Sequence, residues 1–194
     1  DGECVYSEEV IWFPKLNEDP DYHFGHIVEA FKTAASKMPR VDAIGVSSAG
    51  DFIGNEPRVA SLFIKVPREN WDKVKTIYDR AAAEIDPKVP ILVANDGDVS
   101  ALAGAMGLGK GNLMGIAMGT SEAVGYVDKD KNVLGWINEL AFAPVDLNEN
   151  AMADEWSTDI GVGCKYFSQD AVIKLAPAAG IELDGKLSPA EKLK

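Results

Sequence analysis

Apolar residues in the first half of the chain alternate between helical spacing and short continuous runs. In the range Tyr22–Met38 the apolar positions lie three and four residues apart, which predicts a helix, and Pro39 ends it. The segments Val41–Val46 and Val89–Ala94 are mostly apolar, which is typical of strands buried on both faces. A second helix is predicted between these strands, over Asn70–Ile85, because its apolar residues fall on one face.

Shorter elements fill the rest of the chain and indicate an α/β fold. They are a hairpin with arms Cys4–Tyr6 and Val10–Phe13, strands at Arg58–Val66, Leu113–Met118, Ala123–Val127 and Val133–Ile137, and helices over Val99–Met106, over Ser168–Ala179 and from Ser188 onward. Hairpins become frequent after Gly107. We therefore expect two lobes, an N-terminal α/β lobe of residues 1–94 and a C-terminal α/β lobe of residues 95–194.

The overall charge limits the classes of partner. The 194-residue chain has a formal net charge of -12, and so acidic a surface repels nucleic-acid phosphates and anionic lipid. We expect no nucleic-acid partner and no membrane association, since no segment carries the roughly 18 consecutive apolar residues of a membrane-spanning helix. ATP remains admissible, because backbone dipoles and a metal ion can hold it without a basic surface.

Cysteine and histidine usage argues against a zinc site. Cys4 and Cys164 are isolated in the sequence, so we expect two reduced, packed thiols in a cytoplasmic protein. His23 and His26 lie on the first predicted helix, and we expect them at a surface or an interface. These residues lack zinc-ligand spacing, so no structural zinc is expected. The first residues, Asp1-Gly2-Glu3-Cys4, lack the basic and apolar stretches of a signal peptide.

Asn95 and Asp96 follow directly after the second buried strand. Ligands of open α/β sheets bind beyond the carboxyl ends of the strands. There, Asp96 could take a proton from a substrate hydroxyl, and Asn95 could orient a second hydroxyl. A structural role stays open, since Asp or Asn caps a following helix well, and Asp98 is the better-placed cap.

Three further segments carry candidate chemistry. The turn Met118–Ser121 could point backbone N–H groups at a phosphate, or it could be an ordinary hairpin turn. The segment Gly104–Gly111 nearly matches the P-loop pattern, but it lacks the final hydroxyl residue and leads from helix to strand, so we interpret it as a turn. Glu139 lies in an apolar stretch and could accept hydrogen bonds from sugar hydroxyls or be a loop carboxylate.

Taken in order, these segments resemble the ROK family, the repressor and sugar-kinase branch of the actin-like ATPase superfamily. The resemblance covers roughly residues 41–180 and rests on an ordered series of motifs, not on a single one. The matching positions are Ile44–Gly50 (G-V-P-G), Trp71, Val93–Ala103 (N-D-A-N-A-A-A-L), Gly107 and Gly109 (G-x-G), Ile116–Thr120 (a phosphate loop ending G-T-G) and Glu139–Phe142 (E-x-G-H).

The resemblance implies a ribonuclease H-like α/β fold of the actin and hexokinase superfamily, with two lobes around a cleft. It implies ATP-dependent phosphorylation of a hexose-type sugar, with Mg²⁺ bridging the phosphates, and the protein could form a homodimer. It assigns Asp96 as the catalytic base, Asn95, Glu139, Ser48 and Gly50 to sugar binding, and Gly119, Thr120 and Ser121 to the ATP phosphates.

Several positions depart from the family pattern. Ser121 replaces the last glycine of the phosphate loop, and Glu122 begins a stretch that is glycine-rich in the family. Phe142 replaces a histidine that contacts sugar and zinc, and Gly161–Ser168 lacks the zinc cysteines. Cys164 occupies the position of a second sugar-binding glutamate. We therefore expect a divergent, zinc-free member whose sugar could differ from glucose.

Two segments of the family pattern do not occur in the chain, namely the D-x-G-G-T phosphate loop and the adenosine loop. We expect a piece of a longer protein that is inactive by itself. Two alternatives stay open: a catalytically silent sugar-binding regulator, and an acetate-kinase-like or polyphosphate-cleaving relative with another acceptor. An upstream D-x-G-G-T in the parent would favour the kinase, and a helix-turn-helix would favour the regulator.

Overall fold

The computed structural model describes residues 3–119, 121–136, 138–155 and 157–193. The chain divides between Asn95 and Asp96 into two compact units. In the first unit the helices are α1 (Pro20–Ala35), α2 (Trp71–Lys75) and α3 (Ile77–Ala83), and the strands are β1 (Ile44–Ser48), β2 (Asp51–Ile53), β3 (Glu56–Val59) and β4 (Ile91–Asn95). In the second unit the helices are α4 (Asp96–Leu108), α5 (Gln169–Leu175) and α6 (Pro189–Lys192), and the strands are β5 (Leu113–Met118) and β6 (Glu122–Val127).

Strands β1 and β4 form a parallel pair in which Ile44 lies opposite Ile91 and Ser48 lies opposite Asn95. The carboxyl ends of both strands therefore meet at one edge. Val93 is 4% exposed, whereas Leu92 is 69% exposed. The prediction that these strands are buried on both faces is wrong within this unit, because one face packs on the core and the other stays open.

The core of the first unit lies between α1, α3 and the β1–β4 pair. The side chains of Phe63, Val74 and Ile77 have no exposed surface, and they pack with Tyr78 and Val93. Helix α1 begins where the sequence favours it, because Asp19 accepts a hydrogen bond from the N–H of Asp21 at 2.9 Å and Pro20 occupies the first turn. The helix predicted over Tyr22–Met38 is thus confirmed, although it begins two residues earlier and ends three residues earlier than predicted.

The second unit is built on the close packing of α4 against the antiparallel β5–β6 hairpin. A Cβ atom on Gly97 would lie 2.6 Å from backbone atoms of Val124, and one on Gly115 would lie 2.4 Å from the nitrogen of Ala101. Only glycine permits backbones to approach so closely. The buried residues Ala101, Ala105 and Val127 fill the remaining interface.

The N-terminal hairpin predicted over Cys4–Tyr6 and Val10–Phe13 is wrong. Residues 3–13 form no strand, and Val5, Val10 and Ile11 are 68%, 56% and 77% exposed. An isolated two-stranded hairpin is marginal in water unless a hydrophobic face packs on something else.

Other boundaries also differ from the sequence predictions. The helix predicted over Asn70–Ile85 is broken at Thr76, whose φ of −105° and ψ of 11° leave the helical region. The strand predicted over Arg58–Val66 ends at Val59, and a short 3₁₀ turn follows at Ser61–Phe63. In place of the strand predicted over Val133–Ile137, Val133 forms an isolated bridge with Val127, and Ile137 lies outside the described residues.

The end of the second unit follows its capping signals. The Ser168 hydroxyl accepts a hydrogen bond from the N–H of Ala171 at 3.1 Å, so it caps α5. Gly180 ends the next turn with a φ of 77°, as its sequence position predicts. The carboxylate of Glu191 accepts a hydrogen bond from the N–H of Ser188 at 2.9 Å, one of the two bonds of a capping box. None of the helices in the described ranges combines the length and apolar character needed to cross a membrane.

Candidate functional site

The structure brings Ser48, Gly50 and Asn95 together at the carboxyl edge of the β1–β4 pair. Ser48 lies opposite Asn95 in the strand register, and the side-chain amide of Asn95 donates a hydrogen bond to the carbonyl oxygen of Gly50 at 2.9 Å. These are three of the residues that the family resemblance assigns to sugar binding. The register of the parallel pair is what places them side by side.

Gly50 is required by the backbone at this edge. Its φ is 128°, and a Cβ atom would lie 2.3 Å from the carbonyl oxygen of Val59. A side chain at this position would therefore be both strained and obstructed. The backbone geometry alone accounts for a glycine at this position. The substrate-binding role of Gly50 therefore stays a prediction.

Ser48 also has a structural partner. Ser48 is 6% exposed, and its hydroxyl oxygen lies 2.9 Å from the hydroxyl oxygen of the buried Tyr78. A buried hydroxyl needs such a partner, because leaving it unpaired would cost free energy. The sugar-binding role of Ser48 stays a prediction that competes with this internal hydrogen bond.

Asp96 is the first residue of α4, directly after the last residue of β4. It is half-buried, and its backbone carbonyl accepts a hydrogen bond from the Ser100 hydroxyl at 2.8 Å. The first turn of a helix favours negative charge, because unpaired N–H groups concentrate there. Asp96 therefore lies next to these N–H groups, at the carboxyl end of a strand.

The capping role predicted for Asp98 is wrong, because α4 begins two residues earlier and Asp98 lies inside its first turn. Its carboxylate instead accepts a hydrogen bond from the side-chain amide of Asn138 at 3.3 Å. Burial raises the pKa of Asp98, and the hydrogen bonds from Asn138 and from the N–H of Tyr126 oppose that rise.

The Asn138–Asp98 hydrogen bond links the segment that carries Glu139 to the first turn of α4, which carries Asp96. Glu139 is exposed, and its backbone carbonyl accepts a hydrogen bond from the N–H of Phe142 at 3.1 Å. Sequence reasoning missed Asn138. The only signal for it is its position as a polar residue directly before Glu139.

The predicted phosphate turn closes the β5–β6 hairpin. The N–H of Gly119 donates to the carbonyl oxygen of Ser121 at 2.9 Å, and the carbonyl of Gly119 accepts from the N–H of Gln169 at 2.8 Å. Thr120 lies outside the described residues. Around Gly119 the backbone is open, because the nearest heavy atom to a Cβ there would be the oxygen of Ser121 at 3.9 Å.

A cavity of about 320 Å³ borders Ser121, and its lining includes the charged residues Asp154, Lys165 and Lys174. The ammonium group of Lys165 lies 3.3 Å from the carboxylate of Asp154, and both side chains are largely buried. Cys164 also lines it, and burial raises the pKa of that thiol. Sequence reasoning missed the Asp154–Lys165 pair, since no motif or spacing in the sequence indicates that these two residues lie close together.

Glu122 directly follows the phosphate turn, and its carboxylate is buried in part. Its Oε2 atom has no hydrogen-bond partner, and a Cβ atom on Gly163 would lie 2.5 Å from it. Burial raises the pKa of Glu122. The groove beside it, about 260 Å³, is lined mainly by apolar side chains such as Ile116, Leu140 and Phe167.

Across the part of the chain that the structure describes, no group of three or more His, Cys, Asp or Glu residues could hold a metal ion. Cys4 is exposed and Cys164 is buried. The zinc-free character inferred from the sequence stays a prediction.

No protein-family model and no curated protein sequence matches the chain. Its structure is similar to the crystal structure of a ROK family transcriptional regulator, a homologue of the E. coli MLC protein, with a TM-score of 0.62 and 18% identity over 87% of this chain and 43% of that one. It is also similar to the ROK hexokinase from Thermus thermophilus, with a TM-score of 0.58 and 18% identity over 89% of this chain and 60% of that one.

The chain thus spans 43% and 60% of the lengths of the two ROK proteins that it matches. At 18% identity the likeness establishes the fold. The chain therefore has the α/β fold of ROK proteins, and the actin-like ATPase fold class predicted from the sequence is confirmed.

Proposed function

We propose that the chain is part of a ROK-family sugar kinase, in which Asp96 is the general base for transfer of the ATP γ-phosphate to a hexose-type hydroxyl. The observation that carries the proposal is the hydrogen bond from Asn95 to Gly50 at the carboxyl edge of β1 and β4, with Asp96 next in the chain. Ligands of α/β sheets bind at such edges.

Asn95 would orient the sugar. Its amide nitrogen is fixed by the bond to Gly50, so the plane and direction of the side chain are set before a ligand arrives. A pre-oriented amide loses little conformational entropy when it receives a hydroxyl group. Glu139 would contribute a second set of acceptors, and the Asn138–Asp98 bond supports its proximity to the start of α4.

Asp96 would take the proton of the hydroxyl as that oxygen attacks phosphorus. A sugar hydroxyl has a pKa far above neutral, so a positioned carboxylate contributes about 100- to 10,000-fold to such a step. ATP with Mg²⁺ would supply the phosphoryl group, with Gly119, Thr120 and Ser121 facing its phosphates. The open backbone at Gly119 fits this role, although its N–H already donates to Ser121.

A sugar-binding regulator without catalysis is the second candidate. The likeness to a ROK transcriptional regulator, at a TM-score of 0.62, favours it as much as the likeness to the hexokinase favours the kinase. The carboxylate of Glu122 beside the phosphate turn also favours it, because an anion there would repel a triphosphate.

Two measurements on the protein as its gene encodes it separate these candidates. Binding of a panel of hexoses is followed by calorimetry, and sugar-dependent ADP release is followed by a coupled assay. Binding together with ADP release supports the kinase, and binding without ADP release supports the regulator. A panel on which no sugar binds above background would overturn both.

A further inference from the structure

His23 is fully buried among aromatic rings, which corrects the prediction that it lies at a surface or an interface. It has no exposed surface, and the rings of Trp12, Tyr22 and Phe63 lie 5.9, 5.6 and 5.2 Å from its own, centroid to centroid. Sequence spacing missed this burial because it cannot show that the segment before α1 folds back over the helix.

The two ring nitrogens of His23 have different surroundings. Nε2 lies 3.2 Å from the backbone carbonyl oxygen of Asn17, so Nε2 must carry the hydrogen atom and donate it. Nδ1 is buried with no hydrogen-bond partner. A proton added to Nδ1 would create a buried cation with an unsatisfied N–H group, which is costly in free energy.

The same ring holds the segment that precedes α1. Asn17 receives the Nε2–H of His23, and the Trp12 ring packs against His23 and, at 5.6 Å, against His26. The N–H of Phe13 donates to the Tyr22 hydroxyl at 3.4 Å, which is a long bond. His23 therefore contacts two residues of this segment, Trp12 and Asn17, directly.

The ionisable groups around the His23 ring do not compensate for the cost of burying its charged form. Asp19, in the segment, favours protonation of His23, and His26, on the next turn of α1, opposes it. Tyr22 is a further ionisable neighbour on α1, and the 3₁₀ turn Ser61–Phe63 contributes the apolar ring of Phe63. Burial is the largest influence, and it lowers the pKa of His23 below its ordinary 6.5.

We propose that His23 is an acid-sensitive clasp, which holds residues 12–19 on α1 while its ring is neutral and releases them when Nδ1 is protonated. The direction follows from linkage. Because the pKa is lower in the docked state, the released state binds more protons at pH values below about 6.5. Docking is fully present above that pH and weakens as the pH falls through and below it.

Amide hydrogen exchange followed by NMR tests the clasp. The N–H groups of Leu16 and Asn17 donate to the carbonyls of Phe13 and Pro14 at 3.2 Å each, so they report on the docked segment. Their exchange rates, corrected for the intrinsic effect of pH, should rise at least about tenfold between pH 7.5 and 5.0. Those of Val74 and Ile77, in the core, should not change.

Two variants serve as controls for this test. In His23→Gln the side-chain N–H can still donate to Asn17 but cannot be protonated, so the pH effect should vanish. His26→Gln should retain it, and it also assigns the His23 ring signals, since the chain has only 2 histidines. Unchanged exchange in the wild type, an equal pH effect in His23→Gln, or parallel loss of protection in the core would each overturn the clasp.

Discussion

Gly125 on β6 lies directly against Gly97 in the first turn of α4, so that a Cβ atom on Gly125 would come within 2.3 Å of the Gly97 carbonyl oxygen. Gly97 in turn could not carry a Cβ, because that atom would meet the backbone of Val124 at 2.6 Å. This contact fixes the start of α4 on the hairpin. Since Asp96 is the first residue of that helix, the position of the candidate base depends on the same contact.

Gly125→Ala should therefore destabilise the second unit. The methyl group would overlap backbone atoms that cannot turn aside, and overpacking of this kind costs about 1–3 kcal/mol or more. Urea unfolding measures the loss.

Gly107→Ala is the matched control for that change. Gly107 lies in α4, the helix against which Gly125 packs, and a Cβ there would meet no packed neighbour within 4 Å. Replacing an unobstructed helical glycine by alanine should raise the free energy of unfolding by about 1 kcal/mol. Equal effects of the two substitutions would show that the contact between Gly125 and Gly97 is not tight.

Local patterns predicted the elements whose signals are complete within a few residues. The limits of β5 agree with the prediction, because a hydrophobic run bounded by turn residues specifies a strand. The hairpin predicted over Cys4–Phe13 failed because its stability depends on a packing surface that no local pattern reports. The fully buried state of His23 was missed for the same reason, since it arises from a segment folding over the helix.

The sequence predicted where in the chain the candidate site lies, but not the hydrogen bonds that join its residues. The motif places Asn95 and Asp96 after a strand, and β4 does end at Asn95. The bonds from Asn95 to Gly50 and from Asn138 to Asp98 join residues about 40 positions apart or more, and only the fold brings such residues together.

Asn95→Ala should weaken both the sheet edge and sugar binding. It removes the donor to the Gly50 carbonyl, which should lower the free energy of unfolding by about 1 kcal/mol. Loss of one oriented hydrogen bond to a ligand should reduce sugar affinity about tenfold. Chemical denaturation and calorimetry measure the two effects.

Asn70→Ala provides the comparison for Asn95→Ala. Asn70 belongs to the same unit, and its side chain makes no capping hydrogen bond. Its replacement should change the stability by less than about 0.5 kcal/mol. If Asn95→Ala unfolds at the same denaturant concentration as Asn70→Ala, the bond to Gly50 contributes nothing.

Glu122→Gln should stabilise the protein at neutral pH and have less effect in acid. Because burial raises the pKa of Glu122 in the folded state, the folded state binds more protons than the unfolded state above about pH 4.5. The wild type therefore loses stability as the pH rises through that value. The Glu122→Gln variant does not, because its side-chain amide stays neutral. Urea midpoints at pH 7 and pH 4 measure the difference.

Glu149→Gln is the control for Glu122→Gln, because Glu149 is exposed. Its substitution should shift the midpoints at the two pH values equally. A Glu122→Gln variant that behaves like Glu149→Gln would mean that the Glu122 carboxylate is adequately solvated.

Asp96→Asn should lower the turnover of sugar phosphorylation by about 100-fold or more while sugar affinity changes little, measured in the protein as its gene encodes it. Asparagine keeps the shape of the side chain and can still hydrogen-bond a hydroxyl in the ground state, but it cannot take the proton as the oxygen attacks phosphorus. The loss should therefore appear in kcat and not in binding. Glu139→Ala should do the reverse and mainly weaken sugar binding. A purely structural role of Asp96 at the first turn of α4 predicts another outcome, because loss of its charge there would lower the free energy of unfolding by only about 0.3–1 kcal/mol and would leave turnover unchanged. Wild-type turnover in Asp96→Asn would reject the catalytic role and leave the structural one.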